Sequence, residues 1–125
     1  MPDKIKRKEI IAVDFDGTLC EHRYPAIGEE RGHIVFFCKE MKRKGYKLIL
    51  HTCRGGVKLQ EAIEWCKERE IEFDAINDDL EEIKNSEFGK TKSKGKVYAN
   101  LYLDDRAMTP EKLQELLFER DKNNG

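Results

Sequence analysis

Apolar positions along the chain alternate between short continuous blocks and stripes at helical spacing. Ile10-Ile11-Ala12-Val13 and Tyr46-Lys47-Leu48-Ile49-Leu50-His51 are blocks of the kind that form strands covered on both faces. Val97 to Leu103 reads as a third strand, and Ile71 to Ile76 as a further one leading into Asn77-Asp78-Asp79. Between the blocks, Ile34, Phe37, Cys38 and Met41 recur at i, i+3, i+4 and i+7, which sets one helix stripe against a sheet. Gly45 follows the basic turn Lys42-Arg43-Lys44, as at a helix C-terminus. Leu59, Ala62, Ile63 and Cys66 repeat the stripe with Trp65 beside it, and Leu80 and Ile83 mark a shorter amphipathic piece. Thr109 before Pro110 and Glu111 predicts the N-cap of a last helix packing through Leu113, Leu116 and Leu117. Ser86 to Gly95 is a loose polar stretch, and no internal repeat is present. The alternation predicts an α/β fold: a doubly wound, Rossmann-like three-layer sandwich with a central parallel sheet and helices on both faces.

The densest chemical signal follows the first block. Asp14 and Asp16 flank Phe15, so in an extended chain both carboxylates project one way while Phe15 points into the packing. Gly17 then allows a sharp turn, and Thr18 can hydrogen-bond the turned backbone. Two adjacent acids repel and persist where a cation or shared chemistry offsets the repulsion. Magnesium held by one or two carboxylates plus substrate phosphate meets that requirement, whereas a polar strand exit ending in a turn is the plainer alternative. The second strand ends at Thr52, followed by Cys53-Arg54-Gly55-Gly56. Lys92, Lys94 and Lys96 precede the third strand, which ends in Asp104-Asp105. These acids and Thr52 fall at or just past strand C-termini, where open α/β sheets place ligands.

That order of an Asp-x-Asp pair, a Thr, a Lys and an Asp-Asp pair resembles the haloacid dehalogenase-like (HAD) hydrolase superfamily, over about residues 10 to 106. The segment Lys96 to Arg106 is similar to one in small, cap-less members, although Asn100 replaces the acidic residue expected in the closest of them. The resemblance implies a Mg²⁺-dependent phosphatase in which Asp14 is the nucleophile and Asp16 the general acid and base. Thr52 would bind a phosphoryl oxygen, helped by backbone N–H groups of the loop after it, including Cys53. Lys96 would hold the phosphoryl group and Asp14 together, with Lys92 and Lys94 as alternatives in the same basic loop. Asp104 would complete a Mg²⁺ shell beside Asp14 and the backbone carbonyl of Asp16, with Asp105 orienting or assisting. Arg54 has two readings, a contact to substrate phosphate or a surface arginine. The resemblance also implies that the strand ending at Asp14 lies between those ending at Thr52 and Asp104. Only Leu19 to Glu30 separates the Asp pair from the next helix, room for a flap such as Tyr24-Pro25-Ala26-Ile27-Gly28 but not for a cap domain.

Length and composition narrow the picture further. The 125 residues suit one domain over 1–125, with a basic extension at 1–8 and a frayed end at 122–125. A 39% charged chain with a net charge of −1 has no global field to recruit nucleic acid or an anionic membrane. The start lacks the apolar stretch of a signal peptide and no run is long enough to span a bilayer, so a cytoplasmic protein is expected. The cysteines at 20, 38, 53 and 66 lack disulfide-scaffold or zinc-finger spacing, and Cys38 and Cys66 fall on apolar helix faces. An open, cap-less site suits a small phosphate or a phosphate on a macromolecular end, with nucleic acid entering only as substrate. A second subunit of a homo-oligomer is a further candidate cover. Alternatives from other classes are a phospho-accepting domain resembling response-regulator receivers, in which the acceptor Asp lies mid-chain before the Thr, and a non-catalytic binding module on the same fold.

Overall fold

In a computed structural model that describes residues 10–85 and 97–104, the sheet is built around strand β1, Ile10–Val13, all four residues of which are buried. Helix α1 (Gly32–Arg43) leads to β2 (Lys47–Leu50), and helix α2 (Gly56–Glu68) leads to β3 (Ala75–Ile76). A single turn, α3 (Glu81–Lys84), precedes β4 (Leu101–Leu103). The order across the sheet is β3-β2-β1-β4, and every pairing is parallel. The strand bearing Asp14 therefore lies between those leading to Thr52 and Asp104, as the motif order implied.

Because β1 to β3 step in one direction across the sheet, right-handed crossovers place α1 and α2 on the same face. The main core bears this out, joining Ile11, Val13, Leu48 and Leu50 to Phe37 and Met41 of α1 and Trp65 and Cys66 of α2. On the opposite face, Ile10, Ala12 and Ile49 pack with Leu80, Val97 and the partly buried Ile83 of α3. The result is the expected small, Rossmann-like α/β sandwich, with no cap among the described residues. No described helix is long and apolar enough to cross a membrane.

Three strands are shorter than their apolar runs predicted. β3 keeps only Ala75 and Ile76 of the run from Ile71, although Asp74 still donates its N–H to the Leu48 carbonyl at 2.7 Å. Its carboxylate accepts the Leu48 N–H at 2.8 Å and pairs with Lys42 Nζ at 2.8 Å. β2 likewise sheds Tyr46 and His51 at its ends. β4 keeps only Leu101–Leu103 because Asn100 brackets Ile10, its Oδ1 accepting the Ile10 N–H at 2.6 Å while its N–H donates to the Ile10 carbonyl. Trp65, read as lying beside its stripe, is buried and meets Phe15 edge-on at 5.3 Å. The predicted helix from Thr109, the polar stretch from Ser86, and both chain ends lie outside the described residues.

Both long helices close with the same hydrogen-bond pair. After α1, Gly45 N–H donates to the Lys42 carbonyl and Tyr46 N–H to that of Met41, with Gly45 at a positive φ of 100°. After α2, Glu70 N–H and Ile71 N–H donate to the Lys67 and Cys66 carbonyls, and Glu70 takes the left-handed position at φ 61°. A side chain there costs about 1–2 kcal/mol that glycine avoids, less the entropy glycine adds to the unfolded chain. Glu70→Gly is thus expected to raise stability by roughly 0.5–1 kcal/mol in urea unfolding. A lower midpoint would show that the left-handed position is not limiting.

Candidate active site

The chain steps outward from β1 through β2 to β3, then returns to the other side of β1 as β4. That reversal opens a crevice beyond the strand C-termini beside β1, where doubly wound sheets bind ligands. Asp14 lies at its head, its N–H donating to the Leu103 carbonyl at 2.8 Å and its Oδ1 accepting the Phe15 N–H at 2.8 Å. Since Val13 and Leu103 are register partners on adjacent strands, Asp14 and Asp104 follow side by side, one strand spacing of about 4.8 Å apart. Both carboxylate positions fall on the same face by the two-residue period, and both line a cavity of about 310 Å³ with His51, Thr52 and Tyr102.

A second cavity of about 480 Å³ adjoins the first through Asp14, Thr52 and Cys53, and adds Asp16, His22 and Tyr24. The residues predicted to act together, Asp14, Asp16, Thr52 and Asp104, thus share one pair of connected hollows. A larger cavity of about 870 Å³ flanks β3 but holds none of them, its lining being Lys42, Phe73, Asp74 and neighbours. Its charged lining includes Lys42 and Asp74, which are paired with each other. Lys92, Lys94, Lys96 and Asp105 lie outside the described residues.

Each side chain is aimed by local structure. After Asp16 the chain turns at Gly17, φ 84°, whose N–H donates to the Cys20 carbonyl at 2.8 Å. The Thr18 backbone N–H, rather than its hydroxyl, closes the turn onto Phe15. The hydroxyl is buried without a hydrogen-bond partner among the described residues. Thr52 follows the end of β2, where His51 N–H still donates to the Val13 carbonyl at 2.9 Å. Its own N–H donates to Asn77 Oδ1 at 2.8 Å, and its Oγ1 accepts the Arg54 N–H at 3.2 Å. With that oxygen used as an acceptor, the hydroxyl hydrogen remains for an anionic oxygen.

Arg54 is not the surface arginine of its second reading, and it lines the cavity of about 480 Å³. Its side chain is 1% exposed, and its fork closes on Asp16, with Nε to Oδ2 and NH2 to Oδ1, both at 2.8 Å. The remaining N–H groups reach back to the flap, to the Ala26 carbonyl at 2.8 Å and that of Pro25 at 3.3 Å. The guanidinium also lies over the rings of Phe15 and Tyr24, 5.1 and 4.9 Å from their centroids. Its pKa is raised, first by the Asp16 hydrogen bonds, so the charge is permanent. Arg54 therefore ties Asp16, the flap and the loop after β2 into one unit, an arrangement of bidentate, charge-assisted bonds.

The flap itself is a closed loop. Glu21 N–H donates to the Glu29 carbonyl and Arg31 N–H to that of Leu19, both at 2.8 Å. Gly28 packs against the Glu21 carbonyl so closely that a Cβ would sit 2.2 Å from that oxygen. Cys53 is exposed at the rim of the crevice, whereas Cys20, Cys38 and Cys66 are buried. Burial pushes the Cys38 and Cys66 thiols up to about 12, which keeps them neutral core groups. Among the described residues no three His, Cys, Asp or Glu side chains gather to hold a metal by themselves. Asp14 and Asp104 instead offer two hard carboxylates in one cavity, a donor set suited to a magnesium ion that keeps several waters.

No family model matches this sequence, and no curated protein does. A solved structure does: a conserved protein coded by a locus of Bacteroides thetaiotaomicron. It is 41% identical, covers 89% of this chain and 90% of its own, and superposes with a TM-score of 0.74. The chain belongs to the family of that conserved protein.

Two members of the site were not singled out from the sequence of this family member. Asn77 takes a positive φ of 54° at the end of β3, which lets its side chain reach the Thr52 N–H. Its position straight after a strand run, in Asn77-Asp78-Asp79, was the available signal. Arg31 precedes α1 and donates from NH1 to the Gly17 carbonyl at 2.7 Å, bracing the turn that presents Asp16. An arginine at a helix start carries no such message in sequence.

Proposed function

We propose that this protein is a Mg²⁺-dependent phosphatase that hydrolyses a phosphate monoester through an aspartyl-phosphate on Asp14. The observation that carries the reading is the convergence of Asp14, Asp16, Thr52 and Asp104 on two connected cavities at the reversal of strand order. Phosphate esters resist attack because their anionic oxygens repel a nucleophile, so a site must gather donors and positive charge around phosphorus. Asp14 and Asp104, with the backbone carbonyl of Asp16, would hold a Mg²⁺ ion, which when bound would supply that charge as a Lewis acid.

Asp14 attacks phosphorus as the bond to the leaving oxygen breaks, and Asp16, which must first take up a proton in exchange for one of its Arg54 hydrogen bonds, delivers that proton to the leaving oxygen. Asp16 then accepts a proton from the water that attacks the aspartyl-phosphate, releasing phosphate and restoring Asp14. The Thr52 hydroxyl donates to a phosphoryl oxygen, held in place by Asn77 and the Arg54 N–H. Arg54 acts through Asp16, as a positioning residue. A lysine among Lys92, Lys94 and Lys96, Lys96 first, would balance the remaining charge.

Removing divalent metal with EDTA is expected to abolish phosphatase activity, and Mg²⁺ to restore it, since the ligands are all hard oxygens. The measurement is phosphate release from a panel of sugar phosphates, nucleotides, phosphopeptides and phosphorylated DNA ends. Full activity after chelation, or rescue by Zn²⁺ alone, would count against the metal assignment.

A further inference from the structure

Tyr24 is an exposed aromatic at a place where exposure has no packing explanation. It is 52% exposed, yet its ring lines the 480 Å³ cavity together with Asp14, Asp16 and Thr52. One face of the ring is held by the Arg54 guanidinium, 4.9 Å from its centroid. The backbone on its C-terminal side is anchored by Arg54 at the Pro25 and Ala26 carbonyls. An aromatic ring fixed on one side and open on the other is a stacking surface, on which another flat ring system packs in an offset arrangement. The cavity is also far larger than a phosphate group needs. At about 480 Å³ it lies within the roughly 300–1,000 Å³ range of small-molecule sites.

We infer that Tyr24 is a specificity-determining residue. It forms a stacking wall for the leaving group, and the preferred substrate is a phosphate monoester whose alcohol carries a flat aromatic ring. This rests on the phosphatase reading of the same site. Two sources share that chemistry, a nucleobase and an aryl ring, and the exposed His22 imidazole on the cavity lining adds a second planar group beside the same space. Arg54 matters here as the back of the wall. Without it the ring would lose both its packed face and the anchored backbone.

The test compares wild type, Tyr24→Ala and Tyr24→Phe on adenosine 5′-monophosphate, phenyl phosphate, glycerol 3-phosphate and acetyl phosphate with Mg²⁺. A parallel titration of adenosine 5′-monophosphate in EDTA follows the Tyr24 ring signals by NMR. The expected result is a wild-type kcat/KM at least about fivefold higher for a ring-bearing ester than for glycerol 3-phosphate. Tyr24→Ala should erase that preference, chiefly through KM, and Tyr24→Phe should keep it, because stacking needs the ring face and not the hydroxyl. The nucleotide and phenyl arms then tell the two ring sources apart.

If wild type hydrolyses all four alike, or Tyr24→Ala lowers all four equally, the wall is overturned and the phosphatase reading stands. If nothing is hydrolysed but the nucleotide shifts the Tyr24 ring and binds more weakly to Tyr24→Ala, the wall stands and the phosphatase reading falls. Neither turnover nor a Tyr24-dependent shift overturns both.

Discussion

Asp14→Asn is expected to remove phosphatase turnover by a factor of at least about 10⁴ while leaving the fold intact. The asymmetry follows from what each atom of Asp14 does. Its backbone N–H continues the β1–β4 ladder to Leu103, and its Oδ1 accepts the Phe15 N–H. An asparagine keeps both bonds, so thermal unfolding should barely move, but an amide cannot attack phosphorus. Asp16→Asn should differ in kind. It should lose most hydrolysis of esters with poor leaving groups and still take up phosphate from acetyl phosphate, whose leaving group needs little protonation. The check is labelled acetyl phosphate with intact-mass readout. Label on Asp16, on Asp104 or on the Asp14→Asn variant would show that the roles are misassigned. A wild-type aspartyl-phosphate that persists without turnover would favour the receiver-like alternative.

The parts of this molecule that were legible in sequence are those governed by short-range pattern. The β1 block, the Ile34-Phe37-Cys38-Met41 stripe and the Gly45 terminator each carry their meaning within a few residues, and each forms as read. The placing of Asp14 and Asp104 was also legible, because a parallel sheet delivers strand C-termini to one edge. What escaped were side chains whose partners are remote in sequence. Asn100 brackets Ile10 across ninety positions and thereby shortens β4, a role that no local propensity encodes. Asn77 looked like turn material, and only the fold brings it to Thr52. Glu70 occupies a left-handed site where sequence rules expect glycine, so α2 ends without its usual marker. Arg54 is the largest departure. A charged residue in a glycine-containing loop is ordinarily exposed, and nothing nearby in sequence foretells that its partner is thirty-eight positions earlier.

Arg54→Met should be the most destabilising single change at the site, costing about 3–5 kcal/mol, the usual result of stripping one partner from a buried ion pair. The magnitude follows from burial, since the side chains of Arg54 and Asp16 are only 1% and 14% exposed. An exposed pair such as Arg43 with Glu40 would be worth only about 0.3–0.5 kcal/mol. With methionine at 54, the Asp16 carboxylate loses both of its guanidinium hydrogen bonds, and the Pro25 and Ala26 carbonyls lose their donor. The flap should loosen as well, seen as faster hydrogen exchange over residues 21–28. Arg54→Lys should recover only part of the stability, because an ammonium keeps the charge but cannot present the planar fork. The decisive comparison is Arg54→Met with Asp16→Leu in one chain. Removing both charges should restore a large share of the lost stability, since the main cost is the orphaned carboxylate and not the missing attraction. Urea unfolding of the single and double variants measures this directly. A single variant as stable as wild type, or a double variant no better than the single, would mean that the Asp16–Arg54 pair does not hold the flap and the turn after β1 together.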